Sequence, residues 1–166
     1  MGTLSKSFAS CGGYIAGSSS IVHYLKFTAP GFLYSVGMSP PNAAAALKSL
    51  ELMQRHPEIV EQLRSRSMLF LDTARSAGIN TGFSMGYAVI PAIIGNSIQS
   101  IRLSQALALR RINVQPIVHP AVEEDAARLR FFISATHSEE EIRLAVKALS
   151  EELQKLHHQG KSPSLP

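Results

Sequence analysis

Thr3-Leu4-Ser5-Lys6-Ser7-Phe8-Ala9-Ser10-Cys11-Gly12-Gly13-Tyr14, at the start of a 166-residue chain, is the stretch from which the rest is read. One lysine stands among small and hydroxyl residues, with a glycine pair close behind. A lysine amine is a nucleophile only when neutral, and small, weakly polar neighbours lower the cost of the neutral form. A neutral amine can form a Schiff base with an aldehyde. Thr3, Ser5 and Ser7 offer hydroxyl donors to a phosphate, and Gly12 and Gly13 permit positive φ or close backbone approach. An amine for an aldehyde beside donors for a phosphate is the set that holds pyridoxal phosphate. By residue type alone, the same string reads first as a surface lysine near a Ser/Gly loop.

Composition narrows the class. The chain can bury one respectable core, as one domain or two small ones. It is 45% hydrophobic and 17% charged, which describes a soluble globular protein. Sixteen basic residues against 12 acidic ones leave a mild net charge of +4. No basic cluster with interleaved aromatics is present, so nucleic acid is disfavoured. The single cysteine, Cys11, excludes an internal disulfide, fits a reducing, cytoplasmic compartment, and reads as a small buried hydrophobe. No apolar run reaches the roughly 20 residues of a membrane span, and no signal peptide opens the chain. Met1-Gly2 fails as a myristoylation signal because Lys6 stands where Ser or Thr is required.

Outward from the lysine, Phe8 to Ala16 predicts a strand interrupted by glycine. Ser18-Ser19-Ser20 predicts a helix start, Thr28 to Gly31 a turn, and Phe32 to Ser35 a short extended piece. Ser39 caps a helix whose first turn holds Pro40 and Pro41. His56-Pro57 ends it, since the residue before proline avoids the α region. A second helix carries Ile59, Leu63, Phe70 and Ala74 on one face, with Arg64, Arg66 and Asp72 solvated, and stops at Gly78. Ala88 to Ile94 reads as a buried strand that is either an edge or irregular at Pro91. Ser97 to about Arg110 reads as helix, and Asn113 to Val118 as a strand ended by His119-Pro120. Leu129, Phe131 and Ile133 alternate with Arg130, Phe132 and Ser134, a strand signature. Ser138 and Glu141 form a capping box, opening a helix striped by Ile142, Val146, Leu149, Leu153 and Leu156. His157 and His158 are adjacent and do not face each other on a helix, which argues against a metal pair.

The string Thr3-Leu4-Ser5-Lys6 followed by Gly12-Gly13-Tyr14 resembles the cofactor-lysine segment of the α-oxoamine synthases. That family of pyridoxal-phosphate enzymes includes aminooxononanoate synthase, 5-aminolevulinate synthase, glycine C-acetyltransferase and serine palmitoyltransferase. Two further stretches share the resemblance: Phe32 to Pro41, and Arg128-Leu129-Arg130-Phe131-Phe132-Ile133-Ser134-Ala135-Thr136-His137. The resemblance runs from residue 1 to about residue 155. It implies an α/β fold, the C-terminal portion of an aspartate-aminotransferase-like (fold type I) transferase. Residues 1–55 would close the large cofactor-binding domain, residues 56–158 would form the small α/β domain, and 159–166 would be a flexible tail. The family's N-terminal portion, with the aspartate facing the pyridine nitrogen and the stacking residue, has no counterpart, so the chain is expected to be a fragment with little turnover of its own.

Site roles follow from the same resemblance. Lys6 is the Schiff-base lysine and the base for the Cα proton. Thr3 and Ser35 are phosphate contacts; Ser35 matches a hydroxyl position that reaches the neighbouring subunit's cofactor, while Val36 departs from the Thr or Asn usual beside it. Arg130 grips the amino-acid carboxylate, although by residue type a salt bridge to Glu123, Glu124 or Asp125 is the alternative; Arg128 fits a solvated role. His119 is a substrate-side residue, and His137 is structural at the helix entry. The implied partners are an amino acid, an acyl thioester and a second copy of the chain, with no metal. Three readings stay open: an acyltransferase of this family, an aminotransferase sharing the lysine chemistry, and a non-catalytic remnant that folds or dimerises.

Overall fold

Alternation in the sequence decides where the core lies. Along Arg128–Phe132, Leu129 and Phe131 point to one face and are buried, while Arg130 and Phe132 point to the other and are exposed. This strand is the centre of a sheet in a computed structural model that describes residues 1–159, with side chains through Leu156. The described chain separates into two compact units, Met1–Pro57 and the residues from Glu58 onward.

The second unit is a three-stranded antiparallel sheet against three helices. Its elements are α4 (Pro57–Ser76), β3 (Val89–Ile93), α5 (Ser97–Leu109), β4 (Gln115–Ile117), β5 (Arg128–Phe132) and α6 (Glu139–Gln159). The strand order is β3-β5-β4, with Pro91 opposite Arg130 and Pro116 opposite Leu129. Both prolines therefore stand on edge strands, where the missing N–H interrupts no central ladder. Phe70, Leu71 and Ala74 of α4, Leu103 and Leu107 of α5, and Ile142, Val146 and Leu149 of α6 close over the inner sheet face. The Phe70 and Phe131 rings meet at 4.8 Å between centroids. Full burial of such a side chain contributes about 1.5–3 kcal/mol.

Helix ends in this unit are set locally. Ser138 N–H donates to Glu141 at 2.7 Å and Glu141 N–H donates to the Ser138 hydroxyl at 3.2 Å, the reciprocal pair anticipated at the start of α6. Asn96 caps α5 through Gln99 N–H. Beyond α4, Gly78 has φ +74, and Ile79 N–H returns to Ala74 C=O, which satisfies a terminal carbonyl. At the far end of α5, Arg110 pairs with Glu151 at 2.7 Å and Glu152 at 3.2 Å on α6. Arg66, expected to be solvated, is only 20% exposed because its guanidinium reaches Glu139 at 2.6 Å. No helix among the described residues is long and apolar enough to cross a membrane. His157 and His158 have no described side chains, and the tail lies, from Gly160 on, outside the described residues.

The first unit has β1 (Gly2–Thr3), β2 (Gly13–Tyr14), α1 (Ser19–Thr28), α2 (Pro30–Leu33) and α3 (Pro40–Arg55). The strand predicted across Phe8–Ala16 shrinks to Gly13–Tyr14. The preceding residues coil instead: Ala9 N–H donates to Lys6 C=O, Ser10 N–H to Leu4 C=O, and Ala9 and Gly12 hold positive φ. The extended piece predicted at Phe32–Ser35 is helical at its start, because Pro30 opens a turn in which Tyr34 N–H returns to Pro30 C=O. Ser39 precedes α3 as expected, but only its carbonyl serves the helix, accepting from Ala43 N–H. Cys11, expected to be buried, is exposed on this turn.

Candidate functional site

Lys6 stands on the connection between β1 and β2. Leu4, the one buried large apolar residue of the first unit among those described, roots this connection. Leu4 N–H donates to Gly12 C=O and Leu4 C=O accepts from Ser10 N–H, so both sides of the Lys6 turn are pinned. Gly12 has φ +116, and a side chain at Gly13 would approach Gly2 C=O to 2.8 Å. The glycine pair therefore serves both purposes that its sequence allowed. The Lys6 amine is exposed and donates to the Ser5 hydroxyl at 3.0 Å.

Two tethers absent from the sequence reading hold this turn on α3. The Ser10 hydroxyl donates to Asn42 C=O at 2.6 Å, and the Ser49 hydroxyl donates to Phe8 C=O at 3.1 Å. Each spans more than 30 residues, so no local pattern announces it.

Thr3 is exposed on β1 and lines an apolar hollow of about 630 Å³ bounded also by Tyr14, Val22, Leu25, Lys26 and Phe32; Lys6 does not line it. Ser35 is exposed after α2, and its hydroxyl proton is engaged at 2.6 Å by Gly31 C=O. In the first unit, the groups present are of the kind that holds pyridoxal phosphate: a primary amine in the open for the aldehyde with the Ser5 hydroxyl 3.0 Å from it, and an exposed hydroxyl on Thr3. Ser35 can join only by rotating its hydroxyl away from Gly31.

In the second unit, Arg130 projects from the outer sheet face, between Pro91 on β3 and Gln115 on β4. It is exposed rather than buried, so the need for a counter-ion does not come from desolvation. Its guanidinium enters no ion pair and no hydrogen bond among the described residues; Glu123, Glu124 and Asp125 do not pair with it. Instead, its Cζ lies 4.9 Å from the Phe132 ring centroid. Arg128, expected to be the solvated arginine, is the more buried of the two and donates from Nε to Ala126 C=O at 2.7 Å.

His119 is exposed between β4 and β5. Its backbone N–H donates to the Ser97 hydroxyl at 3.3 Å, and Ser97 in turn donates from both N–H and hydroxyl to the Glu124 carboxylate. These bonds, the hydroxyl's first, hold the Glu124 carboxyl below the ordinary carboxylate range. Sequence reading missed this anchor, because Ser97 looked only like a helix start. His137 accepts Ser134 N–H on Nδ1 at 3.1 Å, at the entry to α6. Among the described residues, no group of three or more His, Cys, Asp or Glu is placed to hold a metal ion.

Known proteins resemble both the sequence and the fold. The chain is 34% identical over 152 residues to serine palmitoyltransferase from Sphingobacterium spiritivorum, covering 90% of this chain and 37% of that protein. It is 35% identical over 147 residues to 8-amino-7-oxononanoate synthase from Thermosipho melanesiensis, covering 89% and 37%. Among solved structures, serine palmitoyltransferase from S. paucimobilis with a bound PLP–myriocin aldimine superposes with a TM-score of 0.85 at 18% identity, over 95% of this chain and 40% of that one. The chain thus spans well under half the length of these relatives, and its fold is that of part of a fold type I pyridoxal-phosphate enzyme. The family model for aminotransferase class I and II matches residues 1–149, and the chain belongs to that family.

Proposed function

We propose that this chain carries the lysine-bearing segment and the small domain of a pyridoxal-phosphate-dependent α-oxoamine synthase, an acyltransferase that joins an amino acid to an acyl thioester. The observation that carries the reading is the Lys6 turn: an exposed amine flanked by hydroxyls, rooted by Leu4 and tied to α3 through Ser10 and Ser49. The names of relatives at 34–35% identity favour a synthase over an aminotransferase.

Lys6 would hold the cofactor's aldehyde carbon, with Thr3 and, after hydroxyl rotation, Ser35 donating to its phosphate. When bound, pyridoxal phosphate supplies an electron sink for charge developing at the amino-acid Cα. The Lys6 amine, once released, takes the Cα proton as a general base. Arg130 receives the carboxylate through two parallel N–H donors; its freedom from any carboxylate among the described residues supports this role. His119 lines the substrate side on a backbone fixed by Ser97 and Glu124. A homodimer belongs to the same reading, supported by the large apolar and aromatic side chains left exposed on and just after α1 and α2, among them Tyr24, Phe27, Phe32, Tyr34 and Val36. A cytoplasmic location is supported by the exposed free thiol of Cys11.

The test is to incubate the chain with pyridoxal phosphate, reduce with borohydride and map the modified peptides. Label concentrated on Lys6 is the expected result. Label spread evenly over Lys6, Lys26, Lys48 and Lys147 would overturn the assignment.

A further inference from the structure

We infer that Phe132 is a positioning residue for Arg130, and that its ring determines how well the chain binds a carboxylate. The inference rests on the carboxylate role proposed for Arg130 and adds a residue to it.

Arg130 and Phe132 are two apart on β5 and share its outer face. The guanidinium carbon sits 4.9 Å from the ring centroid, within the range of cation–π attraction. The ring is 58% exposed, so its face is open to the guanidinium on the outer side of the sheet. Cross-strand neighbours offer no rival: Pro91 and Gln115 flank Arg130 and Val89 faces Phe132, none of them charged. Gln115 spends a side-chain N–H on Asn113 at 2.9 Å.

The two interactions use different parts of one group. An aromatic ring engages a guanidinium through its π face, whereas the N–H donors lie in the guanidinium plane. A ring partner therefore leaves the donors free for a carboxylate while removing much of the rotamer freedom that an exposed arginine would otherwise lose on binding. Removing that loss beforehand raises affinity without a new ligand contact. Phe132 need not touch the ligand to do this.

The experiment follows the Arg130 Nε–H signal by NMR in the isotopically labelled 166-residue chain. L-serine is the probe, and 2-aminoethanol, the same molecule without its carboxylate, is the control. In the wild-type chain the signal should carry a ring-current shift and move with L-serine alone. Phe132→Leu, which keeps an apolar side chain without a π face, should abolish the ring-current shift and weaken L-serine binding roughly two- to fivefold, the range of an exposed cation–π contact. Phe132→Tyr should restore both. Unchanged L-serine affinity in Phe132→Leu, with Arg130 still responding, would overturn the positioning role and leave the carboxylate role standing. No response of Arg130 to L-serine in the wild-type chain would overturn the carboxylate role and this inference with it.

Discussion

The two units obey the same local rules and differ in what lies beneath them. In the first, Ser18 caps α1, Pro30 opens α2 and Pro40 opens α3, yet none of these helices has a buried residue. In the second, sixteen buried residues from α4, α5, α6, the sheet and the segments beside them form one cluster. Capping and proline placement thus shape a helix whether or not it has anything to pack against. Stability is another matter, because isolated helices and two-stranded ribbons are marginal in water without an apolar face to bury. The proposed chemistry is divided along the same line, with the Lys6 turn in the lean unit and Arg130 in the packed one.

Amide exchange would show the contrast at its largest. Opening costs range from near zero to the full global stability, so amides of Leu129 to Phe131 should exchange at least about a thousandfold more slowly than those of Gly13 and Tyr14. Equal or slower exchange at Gly13 and Tyr14 would erase the distinction between the units.

Truncation of single side chains should show the same asymmetry. Leu129→Ala removes a fully buried side chain and should cost about 2–5 kcal/mol in urea unfolding. Leu47→Ala, on a side chain 59% exposed in α3, should stay within about 0.5 kcal/mol. A large loss from Leu47→Ala in the isolated chain would reveal packing in the first unit that this comparison denies.

The smallest effect concerns a feature read directly from sequence. Ser138 N–H first, and its hydroxyl second, hold the Glu141 carboxyl below the ordinary carboxylate range. A depressed folded value means the capping box is fully stabilising above the unfolded carboxyl value and fades as pH falls through the folded one. Acidification from about pH 6 to about pH 2, which crosses the carboxyl range, should therefore loosen the first turn of α6. Amide shifts of Glu141 and Ile142 would follow it, and Glu141→Gln should remove most of the pH response. A Glu141 midpoint above the unfolded value would contradict the assigned hydrogen bonds.

Where side-chain periodicity was long, the sequence reading matched the structure. The α6 stripe and the β5 alternation each follow from a repeating pattern that burial of one face enforces, and the edge position of β3 follows from the missing N–H of Pro91. Where it relied on short apolar runs, it failed. Phe8–Ala16 predicts a strand interrupted by glycine, but positive φ at Ala9 and Gly12 turns the chain back on Leu4. Phe32–Ser35 has strand-forming residues, yet Pro30 fixes the geometry of a helical turn before they can extend. For the candidate site, the residue types and their neighbours were legible in the string, and the tethers were not.

Sequence alone determined which residues are able to bear the proposed chemistry, because a lysine amine, a guanidinium and a hydroxyl are what they are wherever the chain takes them. It also determined the start of α6 at its capping box and the end of α4 at Gly78, since such signals act within a few residues, although α2 escaped it. Only the tertiary structure decided that Ser10 and Ser49 hold the Lys6 turn on α3, that Ser97 and Glu124 fix the His119 backbone, and that Arg130 lies exposed over Phe132 with no acidic partner among the described residues. The first two join positions more than 20 residues apart. The exposure of Arg130 depends on what covers the outer face of a sheet. Such relations depend on distance in space, which propensity and periodicity along the chain do not encode.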